Sequence, residues 1–135
     1  MDSRNKGRSF EYEVAHALYE HLGIQFKRDL EQVRTSGRGD LVTDEYFPFI
    51  VECKRYKAGP FKKSWLIQAE RAARAETKVP IVIFRFDRQE TQVAMNAGDL
   101  CVVFGGWPRN EWADMNGTVF MDLPTFCTFA REVLS

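Results

Sequence analysis

The sequence predicts an α/β domain: a central mixed β-sheet flanked by helices, in the order α-β-β-α-β-β-β-α. Three observations predict it. Phe10, Val14, Ala17, Leu18 and Leu22 recur at helical spacing. Pro80–Phe86 is nearly all apolar, the pattern of a strand covered on both faces. Phe126, Phe129, Ala130 and Val133 mark a second amphipathic stretch near the C-terminus. A chain of 135 residues without repeats, low-complexity tracts or linkers is expected to form one domain over residues 1–135.

Each element has a local reason. The first helix is expected over about Gly7–Leu22, with Gly23 as its stop. Strands are expected over about Gly39–Val42 and Phe49–Arg55, joined by a turn around Asp44–Pro48. Gly59-Pro60 breaks the chain before a second helix at Lys62–Glu76, whose alanines would let it lie close to a sheet. After Pro80–Phe86, Gln92–Met95 and Leu100–Phe104 flank Asn96-Ala97-Gly98-Asp99 and read as a hairpin. Asp122 is placed to cap a last helix running through Val133.

Composition closes several functional classes. No apolar run is long enough to span a membrane, and Met1–Phe10 carries four charges and no apolar core of a signal peptide. Three unevenly spaced cysteines without a Cys-x-x-Cys pair fit free thiols in a reducing, cytoplasmic compartment. His16 and His21, five apart on one helix, support neither a zinc site nor a Ser-His-Asp triad. The formal net charge is zero, but it is unevenly spread. Residues 54–74 hold seven basic side chains against one acidic, a net +6, while residues 86–135 hold three against seven, a net −4. The basic stretch can present a phosphate-attracting face, or simply a solvated helix.

Two features carry chemistry. On a helical wheel with Phe10 at zero, the apolar residues of the first helix span about −20° to +120°, and Glu11 falls at about 100°, inside that arc. A carboxylate there needs a cation, a metal or hydrogen-bond donors, or else sits at the arc's edge and reaches water or a nearby Arg. The second feature is Asp40 with Glu52 and Lys54. Alternation puts Glu52 and Lys54 on one face of their strand and Val51 and Cys53 on the other. If Asp40 lies opposite Glu52, then Leu41 lies opposite Val51 and Val42 opposite Ile50, a self-consistent register. Two adjacent carboxylates repel unless something positive lies between them, and a hard divalent cation such as Mg²⁺ suits that position.

The run Gly39-Asp40 … Val51-Glu52-Cys53-Lys54 resembles the signature of the PD-(D/E)XK nuclease superfamily, the restriction-endonuclease-like fold. Lys6-Gly7-Arg8-Ser9-Phe10-Glu11 resembles the first helix of archaeal-type Holliday junction resolvases, with Glu11 at the position of a catalytic Glu. Arg34-Thr35-Ser36-Gly37-Arg38-Gly39-Asp40 resembles the loop before their first catalytic Asp, with Gly39 where Pro is often found. The resemblance covers about residues 5–86; residues 88–135 match no pattern of the family.

The resemblance implies a metal-dependent DNA endonuclease using Mg²⁺, with Mn²⁺ able to substitute. Glu11, Asp40, Glu52 and the Cys53 carbonyl would be the metal ligands, and Lys54 would act beside them. The Cys53 thiol would face away as a packing group, and Gln68, at the flank of the second helix, is a further catalytic candidate. Lys6, Arg8, Arg34, Ser36, Arg38, Arg55, Lys57, Lys62 and Lys63 are the expected DNA contacts. Branched DNA cut by a homodimer is the expected substrate and assembly, with Trp107, Trp112 or Phe120 either at an interface or in the core. A nuclease for DNA ends, flaps or nicks, and a non-catalytic nucleic-acid-binding module, are the alternatives.

Overall fold

A computed structural model describes residues 3–30, 39–74, 76–109 and 115–135. Helix α1 (Ser3–Leu22) starts one turn earlier than the spacing suggests and ends at Gly23. There φ is +72°, and the amide of Gly23 donates to the carbonyl of Tyr19. Strands β1 (Lys27–Arg28), β2 (Leu41–Val42) and β3 (Phe49–Tyr56) follow, then α2 (Lys63–Arg74), β4 (Val79–Phe86) and β5 (Gln92–Asn96). Helix α3 (Ala97–Gly105), strand β6 (Thr118–Asp122) and helix α4 (Leu123–Leu134) complete the chain.

The six strands lie in sequence order, β1-β2-β3-β4-β5-β6. All neighbours are antiparallel except β3 and β4, which run parallel across the α2 crossover. The sheet is therefore mixed, as expected.

Strand alternation divides the core between two faces. Val51, Ile81, Ile83, Val93 and Met95 point to the face covered by α1 and α4, where Phe10, Val14, Leu18, Phe126 and Ala130 meet them. Val82, Phe84, Phe86 and Ala94 point to the other face, under Trp65, Leu66 and Ala69 of α2. The small side chain of Ala69 brings α2 close to the sheet, and burial of these side chains supplies the main driving force.

The structure adds the short strand β1, which the sequence pattern does not predict, and corrects one element. Leu100–Phe104 is helical rather than the second arm of a hairpin. Asn96, read as part of a turn, is the N-cap: its side chain accepts from the amide of Asp99 at 3.1 Å. The strand that pairs with β5 is instead β6, with Ala94 opposite Phe120. Asp122 caps α4 as expected, accepting from the amide of Thr125 at 2.7 Å.

Candidate active site

The two acidic positions meet through the β2–β3 pairing. Leu41 lies opposite Val51, the predicted register, and the Asp40 amide donates to the Val51 carbonyl at 2.8 Å. Gly39 makes this approach possible. A Cβ there would stand 2.5 Å from the Val51 carbonyl oxygen, so any side chain would push the strands apart. Asp40 Oδ2 in turn accepts from the Cys53 amide at 2.7 Å, which clamps its carboxylate over β3.

Glu52 lies beside that clamp and is only 2 % exposed. Burial pushes its pKa up, repulsion from Asp40 adds to this, and the two carboxyls share a hydrogen bond. The pKa of Glu52 reaches about 9. At neutral pH a proton thus holds the pair together. Two adjacent carboxylates, one forced to keep its proton, form a donor set that fits a hard divalent cation in the proton's place.

Lys54, two residues along the same face, donates from Nζ to Gln68 Oε1 of α2 at 3.1 Å. The side chain singled out on the flank of the second helix therefore reaches the lysine of the cluster. The Cys53 thiol points to the α1 face and packs in the core. Burial pushes its pKa well up, with Asp40, Glu11 and Glu52 acting in the same direction.

Glu11 approaches from α1, half-buried as the wheel predicts. Burial raises its pKa; a hydrogen bond from Arg28 opposes this, and the charge of Asp40 raises it again. The Glu11 charge also acts on Glu52 and Cys53. Its carboxylate is nonetheless engaged elsewhere: Arg28 Nε donates to Glu11 Oε2 at 2.5 Å. Among the described residues no three His, Cys, Asp or Glu side chains form a group that could hold a metal ion.

The expected DNA contacts fall into four groups. Lys6 and Arg55 converge on Asp87 Oδ1, at 3.1 and 2.7 Å. Arg8, Lys57 and Lys62 are exposed. Lys63 Nζ instead donates to the Asn116 carbonyl and to Thr118 Oγ1, tying the start of α2 to the start of β6. Arg34, Ser36 and Arg38 lie outside the described residues. Two partners had no sequence signal: Arg28, on a two-residue strand too short to show periodicity, and Asp87, an isolated acid after β4. Trp107 and Phe120 are half-exposed, and Trp112 lies outside the described residues.

Residues 2–110 match a family model described as "Phage putative PDDEXK endonuclease". No curated protein matches the chain. Among solved structures, the chain is similar to that of Archaeoglobus fulgidus Hjc, a Holliday junction resolvase from an archaeal hyperthermophile. The TM-score is 0.57 at 16% sequence identity, covering 90% of this chain and 99% of that one. At this identity the likeness is one of fold, and it agrees with the restriction-endonuclease-like core expected from the motif.

Proposed function

The chain belongs to the phage PDDEXK endonuclease family, and on that premise we propose that it hydrolyses DNA phosphodiester bonds with the aid of a divalent cation, cutting branched DNA selectively. The observation that carries this reading is buried Glu52 paired with half-buried Asp40, with Lys54 beside them, on an endonuclease fold. Asp40, Glu52, the Cys53 carbonyl and Glu11 would hold the cation. When bound, Mg²⁺ (or Mn²⁺ in its place) supplies Lewis acidity toward water and the phosphate.

The remaining work falls to the chain's own side chains. Lys54 presents a positive charge at the edge of the carboxylate pair, where it can hold a phosphate oxygen or orient a water molecule. Gln68 fixes the lysine ammonium through its amide oxygen. Asp40, clamped by the Cys53 amide, keeps its lone pairs aimed at one place. Arg8, Lys57 and Lys62 offer exposed charge for phosphates at either side, contacts that hold a strand without reading its sequence.

The fold shared with a Holliday junction resolvase supports a branched substrate. A four-way junction offers two symmetry-related strands, which a twofold dimer would address together. A panel of four-way junction, flap, nicked and linear duplex DNA, each with Mg²⁺ or with chelator, tests the reading. Paired symmetric cuts in the junction, lost with chelator, are expected. Preferential cutting of flaps or nicks would replace the substrate, and binding without cutting would replace the enzyme.

A further inference from the structure

We propose that the exposed face of Tyr56 is a stacking platform for an unpaired nucleobase of the DNA strand next to the phosphate being cut. The proposal rests on the nuclease reading above and adds what part of the substrate is recognised.

Tyr56 closes β3. Alternation places Glu52, Lys54 and Tyr56 on one face, opposite Val82, Phe84 and Phe86 of β4. Tyr56 thus stands one side-chain step beyond Lys54, about 7 Å along the strand. That is the scale separating a phosphate from a neighbouring base in an extended strand.

The tyrosine ring lies flat on Trp65, with centroids 5.0 Å apart and planes only 9° from parallel. Trp65 is 6 % exposed and Tyr56 43 %. One face of the tyrosine therefore lies against the buried indole, and the residue keeps much of its surface open to solvent. The indole is packed by further rings. Phe61 meets it edge-on at 5.2 Å, and Phe86 lies beside it. A lone half-exposed tyrosine needs no explanation. A flat ring backed by a well-packed, buried indole, beside Lys54, is different, because its geometry is already set before anything binds.

Charge completes the site. Lys57 follows Tyr56 directly, and Lys62 lies just before α2; both are exposed and make no ion pair among the described residues. An aromatic face one side-chain step from Lys54, with exposed lysines near it in the sequence, matches a strand with a stackable base next to a phosphate. In a complete duplex both faces of each base are covered by neighbouring bases. Only an unpaired base, at a gap, flap or opened junction, offers a face to Tyr56. The platform would therefore read the structure of the substrate rather than its sequence.

The test uses the whole protein in chelator, so that binding is read without cleavage. The probes are a linear duplex and the same duplex carrying a short single-stranded gap with 2-aminopurine at an unpaired position. Wild type should bind the gapped DNA more tightly and quench its 2-aminopurine. One stacked base contributes roughly tenfold or more to affinity. Tyr56→Ala and Tyr56→Leu should lose about that factor, and the quenching, on gapped DNA, with less than twofold change on duplex. The leucine variant keeps apolar cover on Trp65, so its loss reports stacking rather than unfolding. Tyr56→Phe should behave as wild type. Equal effects on both DNAs, or no effect on either, overturn the platform and leave the nuclease reading standing. If wild type binds neither DNA, the nuclease reading falls and the platform with it.

Discussion

Glu52 sets a testable sign for pH. In the unfolded chain it ionises in the ordinary carboxylate range, whereas in the folded, metal-free protein it keeps its proton up to about pH 9. The folded state therefore binds more protons across that window, and the stability this residue supports falls as pH rises from about 5 to 9. Thermal denaturation in chelator should show a declining Tm over that range for wild type. Glu52→Gln should remove most of the decline, because an amide beside Asp40 needs no proton. Arg28 gives a second prediction at this scale. It holds the half-buried Glu11 carboxylate. Arg28→Ala should cost about 1–2 kcal/mol in urea denaturation without metal, since it strands a charge near Asp40. Arg28→Lys should recover part of that loss through a single ammonium contact.

The β2–β3 hairpin and α3 show why some elements were legible and others were not. The hairpin could be read because its parity was over-determined: Asp40, Glu52 and Lys54 had to share a face while Leu41 and Val51 shared the other. The Asn96-Ala97-Gly98-Asp99 run was ambiguous, since the same residues make a turn or an N-cap with an acid in the first helical turn. Apolar residues at 100–104 fit either structure over so short a span. Tertiary packing of α3 against α4 settled it, with Phe104 meeting Phe126 and Phe129. Glu11 was legible from its wheel position, but its partner was not, because β1 is two residues long. Two predictions belong here. Gly39→Ala should separate β2 from β3, lowering stability by more than 1 kcal/mol and DNA cleavage by at least tenfold, because its Cβ meets the Val51 carbonyl. Asn96→Ala should cost about 1 kcal/mol in denaturant titration and leave cleavage unchanged, because its side chain caps α3 through the Asp99 amide and bonds none of Asp40, Glu52 or Lys54.

Across the whole molecule, the zero net charge is the sum of unlike parts. The +6 of residues 54–74 surrounds the end of β3 and the length of α2, while the C-terminal −4 lies around α3, β6 and α4. Part of the basic charge is already spent: Arg55 pairs with Asp87, and Lys63 ties α2 to β6. What is left is Lys54, Lys57, Lys62, Arg71 and Arg74, of which Lys54 stands beside Glu52 on the same strand face and is the proposed phosphate contact nearest the carboxylates. The parallel β3–β4 pair, crossed by α2, is the device that collects these residues. It sets Gln68 over Lys54 and Trp65 under Tyr56 from a single helix. The central claim is that the Asp40–Glu52 pair drives divalent-cation-dependent cleavage, and the most direct measurement compares wild type with Asp40→Asn and Glu52→Gln on branched DNA across a Mg²⁺ titration, with binding followed in parallel. The account predicts at least a thousandfold loss of cleavage in both variants with DNA affinity within about threefold of wild type, a loss equivalent to about 4 kcal/mol of transition-state stabilisation. Cleavage that persists in either variant, or that proceeds unchanged in chelator, would contradict it.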